Sequence, residues 1–422
     1  MLSADQIQAQ ARTVIARCRK LATFTEEPGR ITRTFLSPPM HDCHREISAW
    51  LSAIGIQTGI DAAGNLRALY PAATPQAPRL LIGSHLDTVP DAGAFDGILG
   101  VVLGVALLEA LNRERLPFAI ELIGFCEEEG VRFGIPFIGS CALVGTLEDN
   151  TLSRTDAAGI SIAAAVERFG LNPRNISDAA LRGDILGYLE VHIEQGPVLE
   201  ELDLPLAAVE AIVGQSRLEF TFHGRANHAG TTPMHLRRDA LAAAAEWMTV
   251  VEHEARNIPG LLATVGAIHT KPGATNVIPG EVTLTLDVRH CSDDARNTAV
   301  EAMIRAAENI AAQRTLAVHH RMVAAQSSVP MDSFLGGQVE QAIRNAGCKP
   351  HRMVSGAGHD AMILAEKVPA AMLFLRTPGG ISHNPAETVQ VEDVGKAIEA
   401  GVHLLQQLAS LPTLPSRRIR VA

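Results

Sequence analysis

The segment RLLIGSH at 79–85 constrains the fold more than any other, because a continuous apolar run suits a strand covered on both faces. A glycine-rich helical stretch over 97–112 follows, and then a second strand, PFAIELIGFC at 117–126. Strand, crossover helix and strand form a βαβ unit, so a parallel sheet layered with helices begins here. ILGYLEVHIE at 185–194 continues the sheet. Helix 332–346, strand 350–354, helix 359–366, strand 369–375 and helix 391–409 resume the same alternation. Upstream, helical periodicity covers 3–22, with Ser3 and Asp5 as candidate caps, and 40–54, which Gly55 is placed to end. Strands at 56–60 and 65–70 flank the turn DAAGN. PAATPQAP at 71–78 reads as a surface loop, and the tail LPTLPSRRIRVA as a frayed end.

Between these halves the pattern changes. RLEFTFHG alternates with period two, as a half-exposed antiparallel strand should. Helix 235–256, strands 261–269 and 281–290, helix 293–313 and strand 315–324 complete the order βαββαβ, the ferredoxin-like pattern. The chain is therefore read as a discontinuous α/β domain, 1–213 with 328–422, carrying an inserted domain at 214–327.

A length of 422 residues suits that division, and 47% apolar against 19% charged residues excludes a disordered or fibrous chain. Lys+Arg 36 against Asp+Glu 46 gives 36 − 46 = −10, which argues against nucleic acid or an anionic membrane as a partner. Cys18, Cys43, Cys126, Cys141, Cys291 and Cys348 are scattered without a C-x-x-C, as reduced thiols of a cytoplasmic protein would be. The N-terminus lacks the apolar core of a signal peptide. The most apolar stretch, 98–111, is too short for a bilayer and carries Glu109.

Acids and histidines gather where strands end, the position at which open α/β sheets collect ligands. His85 ends the first apolar strand and Asp96 precedes the helix after it. Glu127, Glu128 and Glu129 follow the second strand, His192 lies near the end of the third, and His383 follows the last through GGISHNPAE. Each alone has a structural reading, as a hydrogen-bonded histidine or a solvated acidic loop. Together they suit zinc, manganese or cobalt, and a carboxylate shared between two ions lets five ligands hold a pair. Asp87 is placed to accept the second N–H of His85 and fix its tautomer. Glu127 reads as solvent-facing.

SHLDTVPDAGAFDGILG, CEEEGVRFG, VHIEQGPVLE, ANHAGTTPM, NVIPG and SHNPAE together resemble the hydantoinase/carbamoylase family of amidohydrolases, within the clan of two-metal aminopeptidase-like hydrolases. The resemblance covers about residues 20–410. It implies a catalytic domain with a mixed sheet, an inserted lid and dimerisation domain, and a homodimer. By motif, His85 and His192 would hold one divalent ion, Glu129 and His383 the other, and Asp96 would bridge them. Related exopeptidases carry a carboxylate where this chain has His192, which favours the carbamoylase branch.

The same resemblance makes Glu128 the general base, a role for which Gly130 supplies the turn that two consecutive glutamates need. It makes His228 the group that steadies the oxyanion and reaches a partner subunit's site. Asn276 and Arg289 are candidates for the substrate carboxylate, Arg289 because a guanidinium receives a carboxylate bidentately. A structural pairing of Arg289 with Asp293 or Asp294 is the alternative. Gln195 and Arg217 are further polar contacts, and His359 with Asp360 a supporting pair. The expected activity is hydrolysis of a ureido C–N bond in allantoate or an N-carbamoyl-L-amino acid, releasing ammonia and carbon dioxide. The competing readings are an exopeptidase or acylamino-acid hydrolase, and a non-catalytic metal-binding dimer.

Overall fold

The computed structural model describes residues 3–148 and 150–419. The chain divides into two compact units, Met1–Glu210 with Met331–Ala422, and Ala211–Pro330.

The first unit opens with helix α1, Ala4–Ala22, started by a capping box between Ser3 and Gln6. Helix α2, Pro38–Ala53, and strands β1, Thr58–Ile60, and β2, Leu66–Tyr70, follow. β3 covers Arg79–His85 and β4 Ala119–Phe125. Between them runs α3, Ile98–Ala110, whose residues from Ile98 to Leu108 are all buried. A helix apolar around its whole circumference has no face to give to water, and α3 packs against β3, α1 and the helix Val391–Ala409. β5 is Gly183–Ile193 and β6 Leu206–Ile212; the strand Ala370–Leu375 lies between them in the sheet.

β4, β3, β5 and Ala370–Leu375 are neighbours in that order, and each adjoining pair is parallel. β2 beside β4, and β6 beside Ala370–Leu375, are antiparallel, so the sheet is mixed. The carboxyl ends of four adjacent strands therefore share one edge, and from that edge the acids and histidines emerge.

Several segments depart from the sequence reading. β6 was not anticipated, since LAAVEAI carries no strand periodicity of its own and becomes one by pairing with Ala370–Leu375. The short helices Ile138–Val144 and Ile162–Arg168 were also missed. The tail is not frayed throughout: Arg417–Ile419 pairs antiparallel with Gly183–Ile185. Ala370–Leu375 reaches β5 only from Tyr188 onward, which leaves that edge to be filled. Residues 420–422 lie outside the described residues.

The second unit has strands Gly214–His223, Leu262–Lys271, Glu281–His290 and Ala317–Gln326, ordered fourth, first, third, second and all antiparallel. Helices Ala240–Asn257 and Asp293–Gln313 pack on the sheet and bury Phe220, Phe222, Trp247 and Leu284. The first of these helices starts at Ala240, not 235, because Asp239 caps the amides of Leu241 and Ala242 and Met234–Leu236 forms a separate turn.

Candidate metal centre

His85 closes β3 with its Nδ1 3.0 Å from the Asp87 carbonyl oxygen, a bond that requires the proton on Nδ1 and leaves the Nε2 lone pair free. That Nε2 lies 3.6 Å from Asp96 Oδ1. His192 Nδ1 likewise reaches a carbonyl, that of Ile193, at 2.9 Å, while its Nε2 accepts the Gly97 amide at 3.2 Å and lies 3.2 Å from the same Asp96 Oδ1. Asp96 Oδ1 is buried and has no hydrogen-bond partner. An orphaned carboxylate oxygen facing two imidazole nitrogens is the environment a cation completes. Gly97 permits the approach: its φ is +68°, and a Cβ there would lie 2.4 Å from the His85 ring.

On the other side of Asp96, His383 Nε2 lies 3.2 Å from Oδ2 and 3.5 Å from Glu129 Oε1. Two groups of ligand atoms result, His85–Asp96–His192 and Asp96–Glu129–His383, each with its atoms within 4.8 Å of one another. Asp96 belongs to both. The fold thus gathers all five expected ligand residues, and the donor set, three imidazoles and two carboxylates, suits a pair of divalent ions.

Asp87 organises the acidic turn. Its carboxylate accepts the amides of Glu128, at 3.0 Å, and Glu129, at 3.1 Å. The His85 imidazole is nearer the Asp87 carbonyl than its carboxylate oxygen, which stands at 3.4 Å. Gly130, at φ +70°, closes the turn. Glu127 is not solvent-facing: it is fully buried and accepts the amide of Gly130. A turn this tight folds its first side chain back under its own backbone.

Burial, first of all, raises the Glu128 carboxyl well above its ordinary range; His85 opposes this, and Glu129, Asp360 and Asp87 add to it. Burial likewise lifts Glu129 to about 7, with His85 opposing and Asp96 and Asp87 reinforcing. Asp96 is held low against burial by His192, His383 and His85. Buried acids that resist ionisation among themselves become comfortable once a cation joins them.

Further residues support this cluster, of which Glu387, Ser382 and Glu190 were overlooked in the sequence. Glu387 is buried and accepts the amides of Phe95, at 2.8 Å, and Asp96, at 3.0 Å. Ser382 Oγ lies 2.8 Å from Asp96 Oδ2. Glu190, within a buried strand, accepts from Ser84 at 3.0 Å and from the Ala361 amide at 2.8 Å. A glutamate amid apolar strand residues was the available signal for it. The His359 ring packs edge-on to His192 with centroids 4.4 Å apart, and its Nε2 meets Ser355 Oγ. Gln195, a candidate substrate contact, has its Nε2 2.9 Å from Asp96 Oδ2.

In the second unit the candidates fall into two places. His228 pairs with Val277, and the Asn276 carbonyl accepts the amide of Ala229, so both stand at the Glu281 end of the strand Glu281–His290. Arg289 donates Nε and Nη2 to Asp287, at 2.9 and 3.1 Å, and Arg217 Nε donates to the same carboxylate at 3.1 Å. Arg289 thus pairs with Asp287, not with Asp293 or Asp294. The strand between the two places has ten residues, roughly 30 Å at about 3.3 Å each.

Comparison with known proteins accords with this geometry. The chain is 37% identical over 404 residues to an N-carbamoyl-L-amino acid amidohydrolase of Geobacillus stearothermophilus, covering 95% of this chain and 99% of that one. It is 37% identical over 431 residues to allantoate deiminase 2 of Glycine max, covering 94% and 89%. A crystal structure of an amidase of the hydantoinase/carbamoylase family from Burkholderia multivorans superposes with a TM-score of 0.89 at 30% identity, covering 96% and 98%. The sequence pattern of peptidase family M20/M25/M40 matches residues 81–407, and the chain belongs to that family.

Proposed function

We propose that this protein hydrolyses a ureido C–N bond of a small carboxylate-bearing substrate, allantoate or an N-carbamoyl-L-amino acid, with release of ammonia and carbon dioxide. The observation that carries the reading is the pair of ligand groups sharing Asp96, with buried Glu128 in the adjoining group His85–Glu128–Glu129. His85 and His192 would hold one divalent ion and Glu129 and His383 the other; zinc, manganese or cobalt suit the donors. Bound there, two ions would lower the pKa of water and polarise the ureido oxygen.

Glu128 takes the proton of the attacking water and delivers it to the leaving nitrogen, from a buried position in the group it forms with His85 and Glu129. Arg289 and Arg217 converge on the Asp287 carboxylate, and their planar guanidinium groups are the candidates to receive the substrate carboxylate. His228 steadies the oxyanion and Asn276 adds a polar contact. Because these two stand a strand's length from Arg217 and Arg289, we assign them to the site of a second copy in a homodimer, with the unit Ala211–Pro330 as lid and dimerisation domain. Gln195 completes the polar lining. Six unpaired cysteines suit a cytoplasmic enzyme, and among the described residues no helix is long and apolar enough to cross a membrane.

The test is ammonia release by protein reconstituted with zinc, manganese or cobalt. Allantoate, N-carbamoyl-L-amino acids, N-carbamoyl-β-alanine, dipeptides and N-acylamino acids form the panel. Turnover confined to the ureido compounds supports the proposal. Cleavage of peptides or acylamino acids alone would replace it with the exopeptidase reading, and metal uptake without any turnover with the non-catalytic one.

A further inference from the structure

We infer that Glu387 is a positioning residue that, with Ser382, holds Asp96 in register with His383 so that a single carboxylate can serve both ligand groups. The inference rests on the two-ion reading above. Asp96 lies between β3 and α3, whereas His383 follows the strand Ala370–Leu375, so no local chain geometry sets one against the other. The segment Ser382–Glu387 supplies the link. Glu387 is 5% exposed, and its Oε1 accepts the amides of both Phe95 and Asp96, at 2.8 and 3.0 Å. Ser382 Oγ stands 2.8 Å from Asp96 Oδ2 and 3.3 Å from Glu387 Oε2. The Asp96 main chain and side chain are thus both anchored to the loop that carries His383. The 93–96 backbone is fitted closely around the anchor, since a Cβ on Gly93 would lie 2.3 Å from the Glu387 carboxyl.

This division of labour has a chemical logic. Asp96 Oδ1 faces His85 and His192, while Oδ2 faces His383. His85 and His192 are already oriented by their own carbonyl partners, so Oδ1 meets a group fixed without help. On the Oδ2 side, His383 is half exposed and sits in a loop at φ +55°. There the Glu387–Ser382 brace is what aligns carboxylate and imidazole. Groups that orient a ligand in this way are typically worth about 10–100-fold in metal affinity.

Isothermal titration of the metal-stripped protein with manganese, with cobalt absorption spectra in parallel, separates the outcomes. The unmodified chain should take two ions. Glu387→Ala should keep one near its original affinity and bind the second about 10–100-fold more weakly, with a changed cobalt spectrum. Its kcat should fall while KM stays, because Glu387 contacts no substrate. Glu387→Gln, whose amide oxygen can accept the same two N–H groups, should recover most of the loss, and Ser382→Ala should fall between. If Glu387→Ala fails to fold, the Gln and Ser382→Ala variants carry the test. Two ions bound with unchanged affinity in Glu387→Ala or, should that variant not fold, in Ser382→Ala would overturn the positioning role, as would equal weakening of both ions. A single ion in the unmodified chain would instead overturn the two-ion reading itself.

Discussion

Glu128 and Glu129 are neighbours in the chain, and one turn brings both to the same histidine: Asp87 grips both backbones, and a carboxylate oxygen of each lies within 4.8 Å of a His85 ring nitrogen. Replacing Glu128 by Gln should leave manganese uptake intact and reduce turnover by about 10²–10⁴-fold, the usual contribution of a general base; titration and ammonia assays on the same preparation check it. Protonation also bears on stability. Glu129 and Glu387 have an ordinary value of 4.5 and rise to about 7 in the fold, both chiefly through burial. The folded chain therefore keeps protons that the unfolded chain has released. The stability this confers is full below about 4.5 and is lost as pH climbs through about 7. His44 and His359, lowered chiefly by burial, act in the opposite sense only below about 6.5. The melting temperature of metal-free protein should accordingly fall from about pH 6.5 to about 8, and saturating manganese should suppress most of that fall. An unchanged melting temperature in scanning calorimetry would contradict it. The candidate ligand residues were legible in the sequence because acids and histidines at strand ends are conspicuous. Glu387 and Glu127 were not, since nothing local tells a solvated loop glutamate from one folded inward.

Among the elements, the clearest were those whose own pattern decides them. β3, the strand Glu281–His290 and the helices Asp293–Gln313 and Val391–Ala409 begin and end where periodicity and caps place them, Ser292 capping the amide of Ala295. β6 and Arg417–Ile419 depend on partners distant in sequence, which a local reading cannot supply. Two substitutions probe the elements that frame the site. Gly97→Ala would force a left-handed backbone and press a methyl group on the His85 ring, at a cost of about 1–3 kcal/mol. Thermal melts should show the loss, and manganese titration should show weakened binding at the His85–His192 group. Removing the chain from Arg417 onward should uncover the amides of Gly183–Ile185; hydrogen exchange at those residues should quicken, and unchanged protection would mean the pairing contributes nothing.

Across the whole molecule, the switch from continuous apolar strands to period-two strands announced the insertion, and the same strand geometry separates His228 and Asn276 from Arg217 and Arg289. If two copies combine to complete each site, a His228→Ala chain and a Glu128→Gln chain, each inactive alone, should regain turnover when co-expressed, because one mixed site then carries neither substitution. No recovery, with mixed dimers confirmed by mass spectrometry, would place all the groups on one chain. The discontinuous unit has a further consequence during synthesis. Its sheet places Ala370–Leu375 between β5 and β6, so the strand that joins them emerges from the ribosome long after both. The contiguous stretch Ala211–Pro330 can settle while translation continues, whereas the earlier part waits with an open seam for its missing piece. Assembly of the Asp96–Glu129–His383 group is therefore a late event in biogenesis, and a nascent chain stalled before residue 370 offers proteases and chaperones a half-built sheet.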